Sequence, residues 1–115
     1  MILDWTKIKI MLKPGETDFR KQINGLAAIV ENEMKLNVFS NYVFLFCSKN
    51  RSRLKILYWD RNGFCLWLKR LEKDKFPWPR NENEAKEISF NELKMLLDGI
   101  NFFSAYQKLS YTKVS

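Results

Sequence analysis

Three acidic side chains, Asp18, Asp60 and Glu72, could in principle support phosphoryl-transfer chemistry in this 115-residue sequence. Two-metal catalysis of that kind needs carboxylates that converge on one site. Asp18 stands where a helix is expected to begin and can cap it, and Asp60 stands at a turn, so their convergence is not implied. The sequence therefore predicts no catalytic centre and a protein that is not an enzyme.

The sequence contains no histidine and only two cysteines, Cys47 and Cys65. Without histidine, Cys-His and Ser-His-Asp catalysis are excluded, and two isolated cysteines cannot complete a zinc site. Both cysteines lie inside apolar runs, so we expect them to be small buried residues. We therefore expect neither a metal nor a cofactor.

The positive charge is concentrated in one third of the chain. Residues 49–80 carry ten basic and three acidic side chains, which accounts for the whole net charge of +7, because the remainder carries ten of each. A concentrated positive field attracts polyanions and speeds their capture. The alternative is a surface that only keeps the protein in solution. The clustering favours an anionic partner.

Two helices are predicted. Apolar residues recur at spacings of three and four from Phe19 to Met34, after a possible cap at Thr17 or Asp18, which indicates a long helix with one apolar face. A capping box of Ser89 and Glu92 precedes a second, shorter amphipathic helix. Gly99 is placed to end this helix.

Strands are predicted where apolar residues alternate with polar ones or form short apolar runs. These patterns occupy residues 7–13, 42–47, 53–60 and 64–71, with a short edge strand at residues 87–88. The fold predicted from these elements is one α+β domain over residues 1–115, with an antiparallel β-sheet, one long helix packed on it and a shorter C-terminal helix. Residues 101–115 are expected to be a docking segment or a flexible tail.

The turn between the third and fourth strands predicts their register. A three-residue loop of Arg61, Asn62 and Gly63, with Gly63 in the left-handed conformation, would pair Asp60 with Phe64. One face of the hairpin would then carry a core set: Leu54, Ile56, Tyr58, Leu66 and Leu68. The opposite face would carry the polar and aromatic residues: Arg53, Lys55, Leu57, Trp59, Trp67 and Lys69. We favour this register over a two-residue Asn62–Gly63 turn because it separates polar from apolar residues.

The sequence contains no apolar run long enough to cross a membrane and no signal-peptide pattern near its start. We therefore expect a cytoplasmic protein that does not associate with a membrane.

Several motifs together resemble a known family. They are the run Arg53-Leu54-Lys55-Ile56-Leu57-Tyr58-Trp59-Asp60, the run Gly63-Phe64-Cys65-Leu66-Trp67, the run Lys69-Arg70-Leu71-Glu72, Phe76 with Trp78-Pro79, Pro14-Gly15 with Thr17-Asp18-Phe19-Arg20-Lys21, Asn24-Gly25-Leu26-Ala27, Phe39-Ser40 and the run Leu96-Leu97-Asp98-Gly99-Ile100. The sequence resembles TnpB-type proteins, the second open-reading-frame products of IS66-type insertion sequences. It departs from the family pattern at Gln22, where glycine is usual, and at Asn24, where aspartate is usual.

The resemblance implies an accessory protein for DNA transposition. Such elements encode a separate, larger transposase that carries the acidic catalytic residues. The expected partners are therefore the DNA of the insertion-sequence ends and the element-encoded transposase, and self-association into a homo-oligomer stays open.

The charge pattern and the resemblance together predict a nucleic-acid-binding hairpin. Cations would contact phosphates, and interleaved tryptophans would stack on exposed bases. The predicted site comprises Arg51, Arg53, Lys55, Trp59, Arg61, Trp67, Lys69 and Arg70. The alternative for Trp59 and Trp67 is packing beneath the long helix or a second layer.

A second hypothesis is a protein-interaction module that binds the transposase without contacting DNA. Its surface would use the Trp78 segment and the aromatic residues near the end of the sequence, Phe102, Phe103 and Tyr106. The alternative is that these aromatic side chains close the core.

Overall fold

A five-stranded sheet forms the centre of the protein in the computed structural model, which describes residues 4–80 and 85–100. In chain order the elements are strand β1 (Lys9–Glu16), helix α1 (Ile23–Asn32), strand β2 (Tyr42–Cys47), strand β3 (Arg53–Asp60), strand β4 (Gly63–Arg70), strand β5 (Lys86–Ile88) and helix α2 (Phe90–Leu97). The strands lie side by side in the order β4-β3-β2-β1-β5. The predicted α+β class is confirmed.

The sheet is mixed, because β1 and β2 run parallel while the other neighbouring strands are antiparallel. In the parallel pair, Lys9 lies opposite Tyr42 and Leu12 opposite Leu45. The prediction of a wholly antiparallel sheet is wrong for this pair. The physical reason is the connection, since α1 lies between β1 and β2 in sequence and a helical crossover returns the chain to the same end of the sheet.

Each face of the sheet is covered by one helix. On one face, Leu26 and Val30 of α1 pack with Phe44, Phe46 and Leu57, all of which are fully buried. The other face packs against α2 through a second set of buried side chains: Leu12, Leu45, Leu54, Ile56, Phe76, Leu93 and Leu96. Burial on both faces explains why β2 is a continuous apolar run.

The two helices differ in how well the sequence predicted their starts. In α2, the hydroxyl of Ser89 accepts from the backbone N–H of Glu92, and the Glu92 carboxylate accepts from the N–H of Ser89, so the capping box is confirmed. Helix α1 begins at Ile23 rather than near Asp18. Asp18 instead accepts hydrogen bonds from Arg20 within the preceding loop, which competes with helix formation there.

The turn between β3 and β4 has two residues, Arg61 and Asn62, so that Asp60 pairs with Gly63 and Trp59 with Phe64. Arg61 adopts the left-handed conformation with φ 52°, whereas Gly63 does not. The predicted three-residue turn is therefore wrong, and every residue of β4 lies on the face opposite to the one predicted for it.

The observed register has a packing explanation. It places Leu57 opposite Leu66 on the α1 face and Tyr58 opposite Cys65 on the α2 face. Apolar side chains of β4 thus meet the core on both faces. Separating polar from apolar residues was the wrong criterion for a hairpin whose inner strand, β3, is buried on both faces.

Neither described helix has the length or the apolar content needed to cross a lipid bilayer. The predictions for residues 101–115, including Phe102, Phe103 and Tyr106, concern a segment outside the described residues.

The backbone conformations of Gly63 and Gly15 predict opposite outcomes when each is replaced by alanine. A Cβ at Gly63 would have no neighbour within 4 Å, so Gly63→Ala should leave the free energy of unfolding unchanged or raise it by up to about 1 kcal/mol. Gly15 has φ +77°, so Gly15→Ala should lower that free energy by about 1–2 kcal/mol. Urea unfolding measures the free energy of unfolding of both variants. Equal losses would mean that Gly63, like Gly15, adopts a conformation that favours glycine, which would contradict the two-residue turn.

Candidate nucleic-acid interface

The observed register divides the predicted binding hairpin between the two faces of the sheet. Arg53, Lys55 and Trp59 lie on the α1 face of β3, and their partners across the ladder are Arg70, Leu68 and Phe64. Trp67 and Lys69 lie on the α2 face, opposite Ile56 and Leu54. The predicted site residues therefore do not form one continuous surface.

Lys55 is a buried structural residue, with 5% of its surface exposed. Its ammonium group donates hydrogen bonds to the backbone carbonyls of Phe19 (3.0 Å) and Lys21 (2.9 Å) and lies 4.8 Å from the centre of the Phe19 ring. Burial lowers the pKa of Lys55, and the neighbouring charge of Arg53 lowers it further. This cation holds the loop before α1 against the sheet and is not presented to a partner.

Lys69 is also occupied within the fold. Its ammonium group donates to the carbonyl of Leu97, the last residue of α2, at 2.8 Å. The last carbonyls of a helix lack intrahelical partners and carry partial negative charge, so a lysine there is stabilising. Lys69 therefore fastens the end of α2 to the edge of the sheet.

The two tryptophans have different surroundings. Trp59 is half-buried and makes edge-to-face contacts with Phe39 and Phe64, each with ring centres 5.0 Å apart. Trp67 is 39% exposed on the outermost strand, and the neighbouring Leu68 is 54% exposed. Trp59 thus packs against aromatic side chains of the α1–β2 connection and of β4 rather than beneath a helix, whereas Trp67 keeps an accessible ring.

The three exposed arginines of the hairpin lie at its two ends. Arg61 is at the turn, 3.8 Å from its neighbour Asp60. Arg53 and Arg70 are paired across the other end of the hairpin. Arg70 also forms an ion pair with Glu72 at 2.9 Å, while Arg53 lies over the Phe19 ring.

Three chain segments meet at the end of the sheet where Arg53 and Arg70 lie. These are the last residues of β1, the β2–β3 turn and residues 71–80, which we call the crossing segment. It runs from the end of β4 back to β1, and Leu71 N–H donates to Ser52, Phe76 N–H to Arg51 and Gly15 N–H to Pro79.

Side chains fasten the crossing segment to the sheet. Phe76 is fully buried in the α2-side core. The indole N–H of Trp78 donates to the carbonyls of Lys13 (2.9 Å) and Gly15 (3.1 Å). Because these anchors are backbone bonds and buried rings, the loops at this end have defined positions.

Most of the surplus positive charge gathers on these segments. We call this surface the basic end, and it comprises Lys49, Arg51, Arg53, Arg70, Lys73, Lys75 and Arg80. Arg51 is half-buried and the other six side chains are exposed. Within residues 4–80 and 85–100, Arg70 is the one member that forms an ion pair with a carboxylate.

Two adjoining clefts open at the basic end. The first, of about 340 Å³, is lined by Gly15, Glu16, Ser48, Lys49, Arg51, Trp78 and Arg80. The second, of about 380 Å³, is lined by Glu16, Thr17, Asp18, Phe19, Ser48, Lys49 and Arg53. The shared lining makes them one recessed site in which cations outnumber carboxylates.

Some residues of this recessed site were predicted from the sequence and others were not. Arg51, Arg53 and Arg70 belong to the predicted set, whereas Lys49, Arg80 and Glu16 do not. The motifs Pro14-Gly15 and Trp78-Pro79 were visible signals, but nothing in the sequence indicates that two segments more than sixty residues apart meet.

The acidic residues considered for catalysis do not converge. Asp18 pairs with Arg20 at 2.8 Å, Asp60 with Arg61 and Glu72 with Arg70. Hydrogen bonds from Arg20 lower the pKa of Asp18 to about 2, so this carboxylate stays ionised and paired at neutral pH. In the part of the chain that the structure describes, no three potential ligand residues are grouped to hold a metal ion.

The cysteines have different environments. Cys47 is fully buried, and this burial raises the pKa of its thiol to about 12. Cys65 is half-buried beside the α2-side core. Cys47 is thus a packed apolar residue, as predicted, and Cys65 is less buried than expected.

The chain belongs to a family of insertion-sequence proteins. The chain is a member of the family described as IS66 Orf2 like protein, whose model matches residues 8–107. The resemblance seen in the sequence is thereby confirmed, and membership points to an accessory role in transposition.

Two relatives come from Sinorhizobium fredii (strain NBRC 101917 / NGR234). The chain is 33% identical to Uncharacterized protein y4hO over 114 residues, which cover 99% of both chains. It is 32% identical to Uncharacterized protein y4jC over 101 residues, covering 88% of this chain and 86% of that protein. No solved structure matches the chain.

The contacts of Lys55 predict a stability effect that a surface cation would not show. Lys55→Met keeps the aliphatic stem but leaves the carbonyls of Phe19 and Lys21 without their donor, so the free energy of unfolding should fall by about 1–3 kcal/mol. The matched control Arg53→Met removes an exposed cation and should change it by less than about 0.5 kcal/mol. Urea unfolding of both variants is the measurement, and equal effects would mean that Lys55 is not structural.

Proposed function

We propose that this protein assists transposition of an IS66-type element by binding DNA through its basic end. Family membership supports the accessory role. The observation that supports DNA as the partner is the set of cations around the two clefts, of which Lys49, Arg51, Arg53 and Arg80 form no ion pair within the described residues.

Like charges held close together repel one another and are stabilised when a polyanion binds between them. Each phosphate contact also releases condensed counterions from DNA, which makes binding favourable at low salt and weak at high salt. Backbone hydrogen bonds fix the β2–β3 turn and the crossing segment, so the backbone that carries the cations is already in position before a ligand arrives. Less ordering is then needed on binding.

The proposed site differs from the hairpin predicted from sequence. It keeps Arg51, Arg53 and Arg70 and adds the other members of the basic end from neighbouring segments: Lys49, Lys73, Lys75 and Arg80. It leaves out Lys55 and Lys69, whose ammonium groups are engaged by backbone carbonyls, together with Arg61, Trp59 and Trp67, which lie elsewhere on the hairpin.

A binding titration against element-end DNA at two salt concentrations tests the proposal. The variant is Lys49→Gln/Arg51→Asn/Arg80→Gln, with asparagine chosen because Arg51 has φ 63° and asparagine tolerates that conformation. At about 0.1 M salt the affinity should fall at least roughly tenfold, and the slope of log affinity against log salt should drop by about three.

The control variant is Lys7→Gln/Lys9→Gln/Lys35→Asn. It removes the same charge from exposed positions at the opposite end of the sheet, and Lys35 also has a left-handed conformation with φ 58°. If the two triple variants lose affinity equally, only net charge matters and the basic end is not the site. If the wild-type chain does not bind DNA at all, the proposal is wrong.

A second candidate function is contact with the transposase through the edge of the sheet. The specific observation is that β4 ends the strand order and exposes Trp67 and Leu68, one on each face. An uncovered edge strand offers backbone donors and acceptors to an added strand, and exposed apolar side chains give such an interface its core.

Co-purification with the transposase at about 1 M salt, where electrostatic attraction is screened, tests this candidate. Leu68→Lys should abolish co-purification, because a charge at an edge strand opposes strand addition. Ile100→Lys, which alters an equally exposed apolar residue outside the sheet, should leave it intact. Retention of the transposase by the Leu68→Lys variant would rule out the edge as the contact.

A further inference from the structure

We infer that Glu16 makes the basic end selective for unpaired DNA bases that carry an exocyclic amino group. This inference rests on the proposed DNA-binding function and goes beyond it by naming the ligand class and the residue that distinguishes it. Glu16 carries a carboxylate that lies among cations and forms no ion pair with them within the described residues.

The backbone of Glu16 is held firmly. It is the last residue of β1 and lies opposite Cys47 after an irregularity in the β1–β2 ladder. On one side Gly15 N–H donates to Pro79, and on the other Thr17 N–H donates to Cys47, both at 2.8 Å. The side chain is exposed and lines both clefts, so it has a fixed origin and an open path to a ligand.

The carboxylate of Glu16 is available for binding. It forms no ion pair within the described residues, although Lys49, Arg51, Arg53 and Arg80 line the same clefts. The other carboxylate of the site, Asp18, is occupied by Arg20. A negative charge here weakens phosphate binding, so it has a use only if the ligand also brings hydrogen-bond donors.

Nucleobases differ in the donors that they offer to a carboxylate. An ionised carboxylate accepts hydrogen bonds and donates none. Cytosine, adenine and guanine carry exocyclic amino groups, and acidic side chains accept from cytosine N4 in known complexes. Unpaired thymine has no amino group, and its one ring donor, N3–H, lies between two carbonyl oxygens that repel a carboxylate. Glu16 therefore favours amino-bearing bases over thymine.

The shape of the site indicates unpaired bases. Protein elements that contact bases in a duplex project into a groove, as a helix or a β-ribbon does. The site at the basic end is recessed, with each cleft in the size range of small-ligand pockets. A base enters such a recess only when it is turned out of a strand, while the adjoining phosphates lie on the surrounding cations.

Two single-stranded homopolymers of equal length, oligo-dC and oligo-dT, test the inference on the full chain. They carry the same phosphate charge, but cytosine offers an amino group where unpaired thymine offers a ring N3–H between two carbonyl oxygens. The wild-type chain should bind oligo-dC about tenfold more tightly, the effect of one hydrogen bond to a charged group. In Glu16→Gln both affinities should rise, because a negative charge is gone, and the ratio should approach one, because an amide both donates and accepts.

The control is Glu33→Gln, which removes the same charge at the far end of α1 and should keep the wild-type preference. If the wild-type chain shows no preference, or if Glu16→Gln keeps it, the inference fails while DNA binding stands. If only duplex element-end DNA binds, the inference also fails and the proposed function stands. If no DNA binds, both fail.

Discussion

The crossing segment is the part of the structure on which the basic end depends. Buried Phe76 anchors it in the core, and the indole of Trp78 donates to two carbonyls of β1. Without these anchors, the cations of residues 71–80 would move independently of those in the β2–β3 turn. Ordering loose chains on binding costs conformational entropy, so a weaker electrostatic site would result.

Cations of the same protein serve two different purposes. Lys55 and Lys69 are bound to backbone carbonyls and hold a loop and a helix end against the sheet. Lys49, Arg51 and Arg80 surround a cleft and form no ion pair within the described residues. Charge alone does not distinguish the groups, because what matters is whether the fold supplies acceptors for each cation.

Both candidate interactions suit an accessory protein of an IS66-type element. Binding at the basic end would be electrostatic and would weaken with salt, whereas binding at the largely apolar edge strand β4 would depend on salt much less. They lie on different parts of the sheet, so binding at one of the two proposed surfaces would leave the other accessible. A chain that bound both partners would increase the local concentration of one near the other.

The sequence by itself determined the family, the α+β class, the capping box at Ser89, the buried β2 strand and the excess of cations in residues 49–80. Each of these depends on a local pattern or on composition. Only the tertiary structure decided the hairpin register, the parallel β1–β2 pair and the union of Glu16 with Arg51 and Arg80 in one cleft. These depend on which distant segments pack together, and a one-residue change of register, such as the one at Arg61, reverses the face of every side chain in a strand.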